Sequence, residues 1–113
     1  MAATRLDITI EQGATFSQTI AVGEAYDGYT ARASIRTAFG GSRVVDLSCT
    51  TVASGNTTIS LTAAQAALLT APAYARADER EVKIGEWDLE LVSGETVVRS
   101  RYGEANLSRE ATT

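Results

Sequence analysis

A chain of 113 residues with 44% hydrophobic and 21% charged residues has room for one domain whose core buries about two-thirds of the unfolded surface. Its net charge is −4, and Lys and Arg are scattered among Asp and Glu. The clustered positive stripe of a nucleic-acid binder is therefore missing, and no nucleic-acid partner is expected. The sequence has no histidine and one cysteine, which excludes Ser-His and Cys-His nucleophiles, imidazole zinc ligands and any intramolecular disulfide.

The first residues, M-A-A-T-R-L-D-I-T-I, lack the apolar stretch of a signal peptide, and no segment has the length of a membrane span. Synthesis in the cytoplasm without a membrane partner is expected. Leu6, Ile8 and Ile10 alternate with Asp7 and Thr9 as a short strand. Gln12-Gly13 reads as a turn, after which Phe16, Ile20 and Val22 share one parity. Gly23–Gly28 reads as a loop that ends in an Asp-Gly turn signal.

A hairpin follows. Tyr29, Ala31, Ala33 and Ile35 form one face, Arg32, Ser34 and Arg36 the other, and Val45, Leu47 and Cys49 continue the apolar side on the return. A three-residue loop at Gly40-Gly41-Ser42 would set Ile35 against Leu47 and Arg36 against Asp46. Cys49 then reads as a small buried hydrophobe, because no histidine stands by to activate it. Ser54-Gly55-Asn56 is a further turn, and Thr58–Leu61 a short strand. Thr62 and Gln65 have capping-box spacing, which predicts one or two turns of helix over Ala63–Leu69, with Leu68 or Leu69 closing one end of the core.

The segment Ala71–Glu81 is irregular and ends in the densely charged R-A-D-E-R-E. Beyond it, Gly85–Tyr102 has the strongest pattern in the chain. A turn at Ser93-Gly94 predicts a hairpin with Leu91 opposite Thr96, Leu89 opposite Val98 and Trp87 opposite Ser100 on the apolar face. The outer face would pair Asp88 with Arg99 and Glu86 with Arg101. Gly103 reads as a break before a final edge strand that carries Ala105, Leu107 and Arg109. About seven or eight short strands with one short helix predict an all-β fold, an antiparallel β-sandwich over residues 1–113. Trp87, Leu89, Leu91, Val98, Ile35, Leu47 and Ile59 should share its core.

No constellation points to catalysis, a cofactor or a metal. Glu86, Asp88 and Glu90 lie in line on one strand and face arginines, whereas calcium ligands converge from a loop and a glycosidase pair flanks a cleft. Tyr26, Tyr29, Tyr74 and Tyr102 are too scattered to form a sugar platform. Arg76, Asp78, Glu79, Arg80 and Glu81 form a charged loop cluster. Together with Asn106, Ser108 and Arg109 on the expected edge strand, they are the candidate subunit interface.

Four stretches occur in order: D-I-T-I-E-Q-G-A-T-F, D-G-Y-T-A-R-A-S-I-R, I-S-L-T-A-A-Q-A-A-L-L and G-E-W-D-L-E-L, the last followed by a hairpin and a short strand. From Leu6 to Arg109 this order resembles small tailed-bacteriophage structural proteins, in particular the Ig-like N-terminal domain of siphophage baseplate upper proteins. Trp87 departs from it, standing where tyrosine is expected. The loop before Tyr29 is also shorter, and the loop before Gly85 longer and more charged. The resemblance implies an Ig-like sandwich and a virion structural protein without catalytic residues or cofactors. It would be a multi-copy tail or baseplate accessory, docked to other virion proteins and homo-oligomeric or placed in a symmetric assembly. Capsid decoration (cement) or head–tail connection is the alternative, and a host-recognition or carbohydrate-binding module the second alternative.

Overall fold

Two thirteen-residue strands joined by a tight turn, β7 (Glu81–Ser93) and β8 (Thr96–Ser108), form the spine of the protein. The computed structural model describes residues 3–109 except Phe39 and Tyr74. Ahead of the spine come β1 (Thr4–Arg5), β2 (Ile8–Glu11), β3 (Phe16–Ala21), a 3-10 turn (Glu24–Tyr26), β4 (Thr30–Arg36), β5 (Arg43–Cys49), β6 (Asn56–Leu61) and α1 (Ala63–Ala67).

The expected antiparallel Ig-like sandwich is not what these strands build. They form a single mixed sheet in the order β1-β8-β7-β4-β5-β6-β3, with β2 also beside β8, curled into a half-barrel with one short helix. Two features carry the correction. First, β5 pairs with β4 through Arg43–Leu47 and with β6 through Ser48 and Cys49, so the sheet runs on where a sandwich would divide. Second, β1 and β2 lie parallel to β8, a pairing across the length of the chain that local alternation cannot reveal.

The expected final edge strand is the second half of β8, and it has neighbours on both sides, β7 and β2. Gly103 does not break it. Trp87 and Gly103 are opposite one another in the β7–β8 ladder, and a Cβ at Gly103 would collide with the carbonyl oxygen of Leu6. Glycine here makes room for the N-terminal strand.

Both hairpins form with moved registers, by two residues over residues 90–93 and 33–35 and by three across the bulges, where Trp87 is opposite Gly103 and Arg36 opposite Arg43 instead of Asp46. The β7–β8 turn is at Gly94-Glu95, with Leu91 opposite Val98 and Glu90 opposite Arg99. In the first hairpin Ile35 faces Val45 and Ala33 faces Leu47. A shift of two keeps every side chain on its face, so the core forms nearly as read. Trp87, Leu89, Leu91, Ile35, Leu47 and Ile59 are buried, and Val98 packs half-buried against them.

Two bulges handle the places where strict alternation would fail. One between Lys83 and Gly85 passes the inward parity of β7 from Val82 and Ile84 to Gly85, Trp87, Leu89 and Leu91. The other, between Leu89 and Glu90, leaves Ser100 as the extra residue of β8, and inward parity passes to Gly103, Ala105 and Leu107.

The capping box forms as its spacing predicts. Thr62 N–H donates to Gln65 Oε1 at 2.9 Å, and Gln65 N–H donates to Thr62 Oγ1 at 3.1 Å. Leu69 is the residue that closes the core, at 4% exposure, whereas Leu68 stands 80% exposed beside it. The carbonyl of Leu69 accepts the side-chain amide of Gln12 at 3.0 Å, which ties the end of the helix to the β2–β3 turn.

Candidate functional site

The eight residues of the candidate interface do come together, at the corner where the 76–80 turn meets the end of β8. The corner is bound from within. Arg109 N–H donates to the Arg80 carbonyl at 2.6 Å, and its guanidinium Nη1 donates to the carbonyls of Arg76 and Glu79 at 2.7 and 2.9 Å. Glu79 Oε1 accepts the Arg76 N–H at 2.8 Å, and the Arg76 guanidinium lies 3.5 Å from Asp78 and 3.6 Å from Glu79. Glu81 is opposite Ser108 and Lys83 opposite Asn106 in the β7–β8 ladder. Asn106 and Ser108 also face Thr9 and Glu11 of β2, so this stretch offers no sheet edge to a partner. Arg109, read as an outward contact, acts here as a clamp on the turn.

The outer face of β4, β5, β7 and β8 carries the second charged array. Arg32, Arg36, Arg43, Asp46, Asp88 and Glu90 line a shallow groove of about 530 Å³. Arg32 Nε is 2.8 Å from Glu90, Arg43 Nη1 is 3.2 Å from Asp46, and Arg99 reaches Asp88 at 3.8 Å and Glu90 at 4.0 Å. The expected partnership of Asp88 with Arg99 exists, though long. Glu86 does not meet Arg101, because the bulge at Ser100 displaces that residue. Glu86 pairs instead with Lys83.

Burial raises the pKa of Asp88 and the charge of Glu90 adds to the effect, against the opposing pull of Arg99, Arg36 and Arg32. Desolvation therefore outweighs the long ion pair. Elsewhere, Cys49 is half-buried and burial pushes its thiol up to about 11, so it is a protonated, unreactive thiol at neutral pH. Tyr26 and Tyr29 meet edge to face with centroids 5.3 Å apart and pack half-buried against the core. Tyr74 lies outside the described residues.

A third region was not visible in the sequence. Val44, Val45, Leu68, Leu69, Pro72 and Ile84 border an apolar groove of about 540 Å³ between α1 and the start of β5. It contains Val44 and Leu68, two of the three large hydrophobic residues that stand exposed among the described residues. The expectation that Leu68 or Leu69 would face the core was the only trace of it, since one of two adjacent leucines must point away.

Among the described residues no group of three or more acidic or cysteine side chains is arranged to hold a metal ion, and no helix is long and apolar enough to cross a membrane. The geometry offers surfaces, two of them charged and already paired and one apolar and open. No protein-family model matches the chain, and no curated protein matches it.

Proposed function

We propose that the chain is a non-enzymatic structural subunit of a tailed-bacteriophage particle, present in several copies and docked to other virion proteins in the tail or baseplate. The observation that carries this reading is the ordered run of four stretches from Leu6 to Arg109 and their resemblance to small phage structural proteins. The geometry supports a docking role on separate grounds. The ionisable side chains of the outer face neutralise one another in an open groove, whereas an enzyme of this composition needs opposed carboxylates in a sheltered cleft. The apolar groove beside Leu68 and the open ends of the sheet are the kinds of surface that subunits bury in assemblies.

In this reading the protein is made in the host cytoplasm and ends in the virion. Affinity comes from apolar contact and backbone pairing, while paired surface charges set register and exclude wrong neighbours. The test is to mix the purified chain with separately purified tail, baseplate and head proteins of the phage that encodes it, and to size the mixtures. Co-migration with a tail or baseplate component is expected. Co-migration with head proteins alone would move the subunit to the capsid or connector, and failure to bind any component would overturn the reading.

A further inference from the structure

The half-barrel has two ends, and hydrogen-bond parity shows what each offers to a partner. On β3, Val22 N–H donates to the Gly55 carbonyl, and Ala21 is opposite Asn56 in the ladder. The even-numbered residues Phe16, Gln18 and Ile20 therefore direct their backbone groups to β6, while Ser17, Thr19 and Ala21 direct theirs away from it. The hydroxyls of Thr19 and Thr58 meet at 3.0 Å, as expected of a pair whose backbones are not bonded to each other and whose side chains stand close. Ala21 C=O accepts Arg101 Nη2 at 2.7 Å, so Ser17 and Thr19 remain with both N–H and C=O facing outward.

The other end is blunted. On β2 the even residues bond to β8, as the donation from Gln12 N–H to Ser108 C=O shows, and the odd residues face outward. The Glu11 carbonyl is taken by Ala14 N–H, which leaves Thr9 as the one residue of β2 with both groups open. Charge guards it as well, with Asp7 and Glu11 on either side. Two such edges laid antiparallel about Thr9 would set Asp7 against Glu11 twice. β3, F-S-Q-T-I-A, has no charge, no proline and no bulge of its own. The Arg101 guanidinium covers its edge at Ala21, leaving Ser17 and Thr19 uncovered by any charge among the described residues.

We propose that β3 is a self-association edge, pairing antiparallel with β3 of a second copy about a two-fold axis at Gln18. This centre sets Ser17 opposite Thr19 of the second copy, and Thr19 opposite Ser17. Four backbone hydrogen bonds form from the two open residues of each chain, and small neutral hydroxyl side chains meet across the ladder. The two sheets become one continuous sheet. Arg101, bonded to the Ala21 carbonyl, ends the paired stretch on one side, and the β2–β3 turn ends it on the other. This proposal rests on the multi-copy docking role and names the surface and partner for it.

Sedimentation equilibrium of the purified full chain over a wide concentration range is the test, and a reversible monomer–dimer equilibrium is expected. Ser17→Pro removes an N–H that faces away from β6 and places the ring on the open edge. The internal ladder keeps its bonds, so this variant should stay monomeric with an unchanged far-ultraviolet spectrum. Gln18→Cys in a Cys49→Ser background should give a covalent dimer on oxidation, because residues paired at a non-bonded position have Cα atoms about 4.5 Å apart, within disulfide range. A chain that is monomeric throughout, or a dimer that persists in Ser17→Pro, overturns the pairing. A monomer that still co-migrates with other virion proteins would refute this edge contact alone and leave the docking role standing.

Discussion

The indole N–H of Trp87 donates to the carbonyl oxygen of Leu6 at 2.6 Å, a bond that joins residues 81 positions apart in the chain. It explains an irregularity in the parallel ladder. Leu6 N–H bonds to Tyr102 C=O at 2.8 Å, as a regular strand would. Its carbonyl instead turns inward to the indole, and the Asp7 carboxylate accepts the Glu104 N–H at 2.9 Å in its place. Trp87, 1% exposed, thus fills the core and fastens the N-terminal strand.

Two substitutions separate these roles. Trp87→Phe keeps most of the apolar bulk and leaves the Leu6 carbonyl without its donor, which should cost about 1–3 kcal/mol. Trp87→Ala adds the cavity and should cost about 3–5 kcal/mol, a large part of the stability of a small domain. Urea denaturation of both variants checks the ordering. A Trp87→Phe variant as stable as wild type would show that the hydrogen bond contributes nothing.

Gly103→Ala and Gly85→Ala should both destabilise, because the new Cβ atoms would collide with the carbonyl oxygens of Leu6 and Arg36 respectively. The first should loosen β1 and β2 selectively. Amide exchange would then rise at residues 4–11 before it rises in β4 or β7. Uniform loss of protection across the sheet would contradict this account of Gly103.

Leu68→Ala should change stability by less than about 0.5 kcal/mol, while Leu69→Ala should cost about 2–5 kcal/mol. Thermal melts suffice to compare these neighbours. The contrast follows from their 80% and 4% exposures.

Asp88 and Asp7 should give opposite pH signatures. Burial raises the pKa of Asp88 above 3.8, so the folded state holds its proton more tightly than the unfolded chain does. Its ionised form opposes folding at neutral pH, and that penalty is relieved as the pH falls through the raised value. Asp88→Asn should therefore match or exceed wild type at pH 7 and lose this advantage near pH 3.8. For Asp7, the Glu104 N–H hydrogen bond lowers the pKa below 3.8. Its contribution is complete above 3.8 and is lost as the pH falls through the lowered value. Asp7→Ala should be less stable than wild type at pH 7, with the gap closing in acid below 3.8. Denaturation midpoints across this range check both signs.

Alternation exposed the strands, the inward faces and the helix cap because each of these is a local relationship. Leu89, Leu91 and Ile35 alternate with charged neighbours, and Thr62 with Gln65 defines a cap within four residues. The sheet's closure depends on distant pairs, Ile8 with Ala105 and Leu6 with Trp87, and nothing in either segment names the other. Gly103 was misleading because a glycine that makes room for another strand looks the same in sequence as one that ends a strand. Of the charged candidate site, its grouping was legible from R-A-D-E-R-E. The inward use of Arg109 was not, since a guanidinium that clamps carbonyls leaves no pattern in residue type. The uncharged run of β3 was plain in the sequence, but only the sheet order marks it as an edge.

The central claim is that this chain works as a multi-copy subunit of a phage particle, and the composition of the particle tests it most directly. Particles of the encoding phage would be purified, washed in high salt and analysed by quantitative mass spectrometry against an internal standard. Peptides of this chain should appear at a fixed stoichiometry of several copies per particle and remain through the wash. Their absence from infectious particles, in cells that express the protein, would contradict the claim.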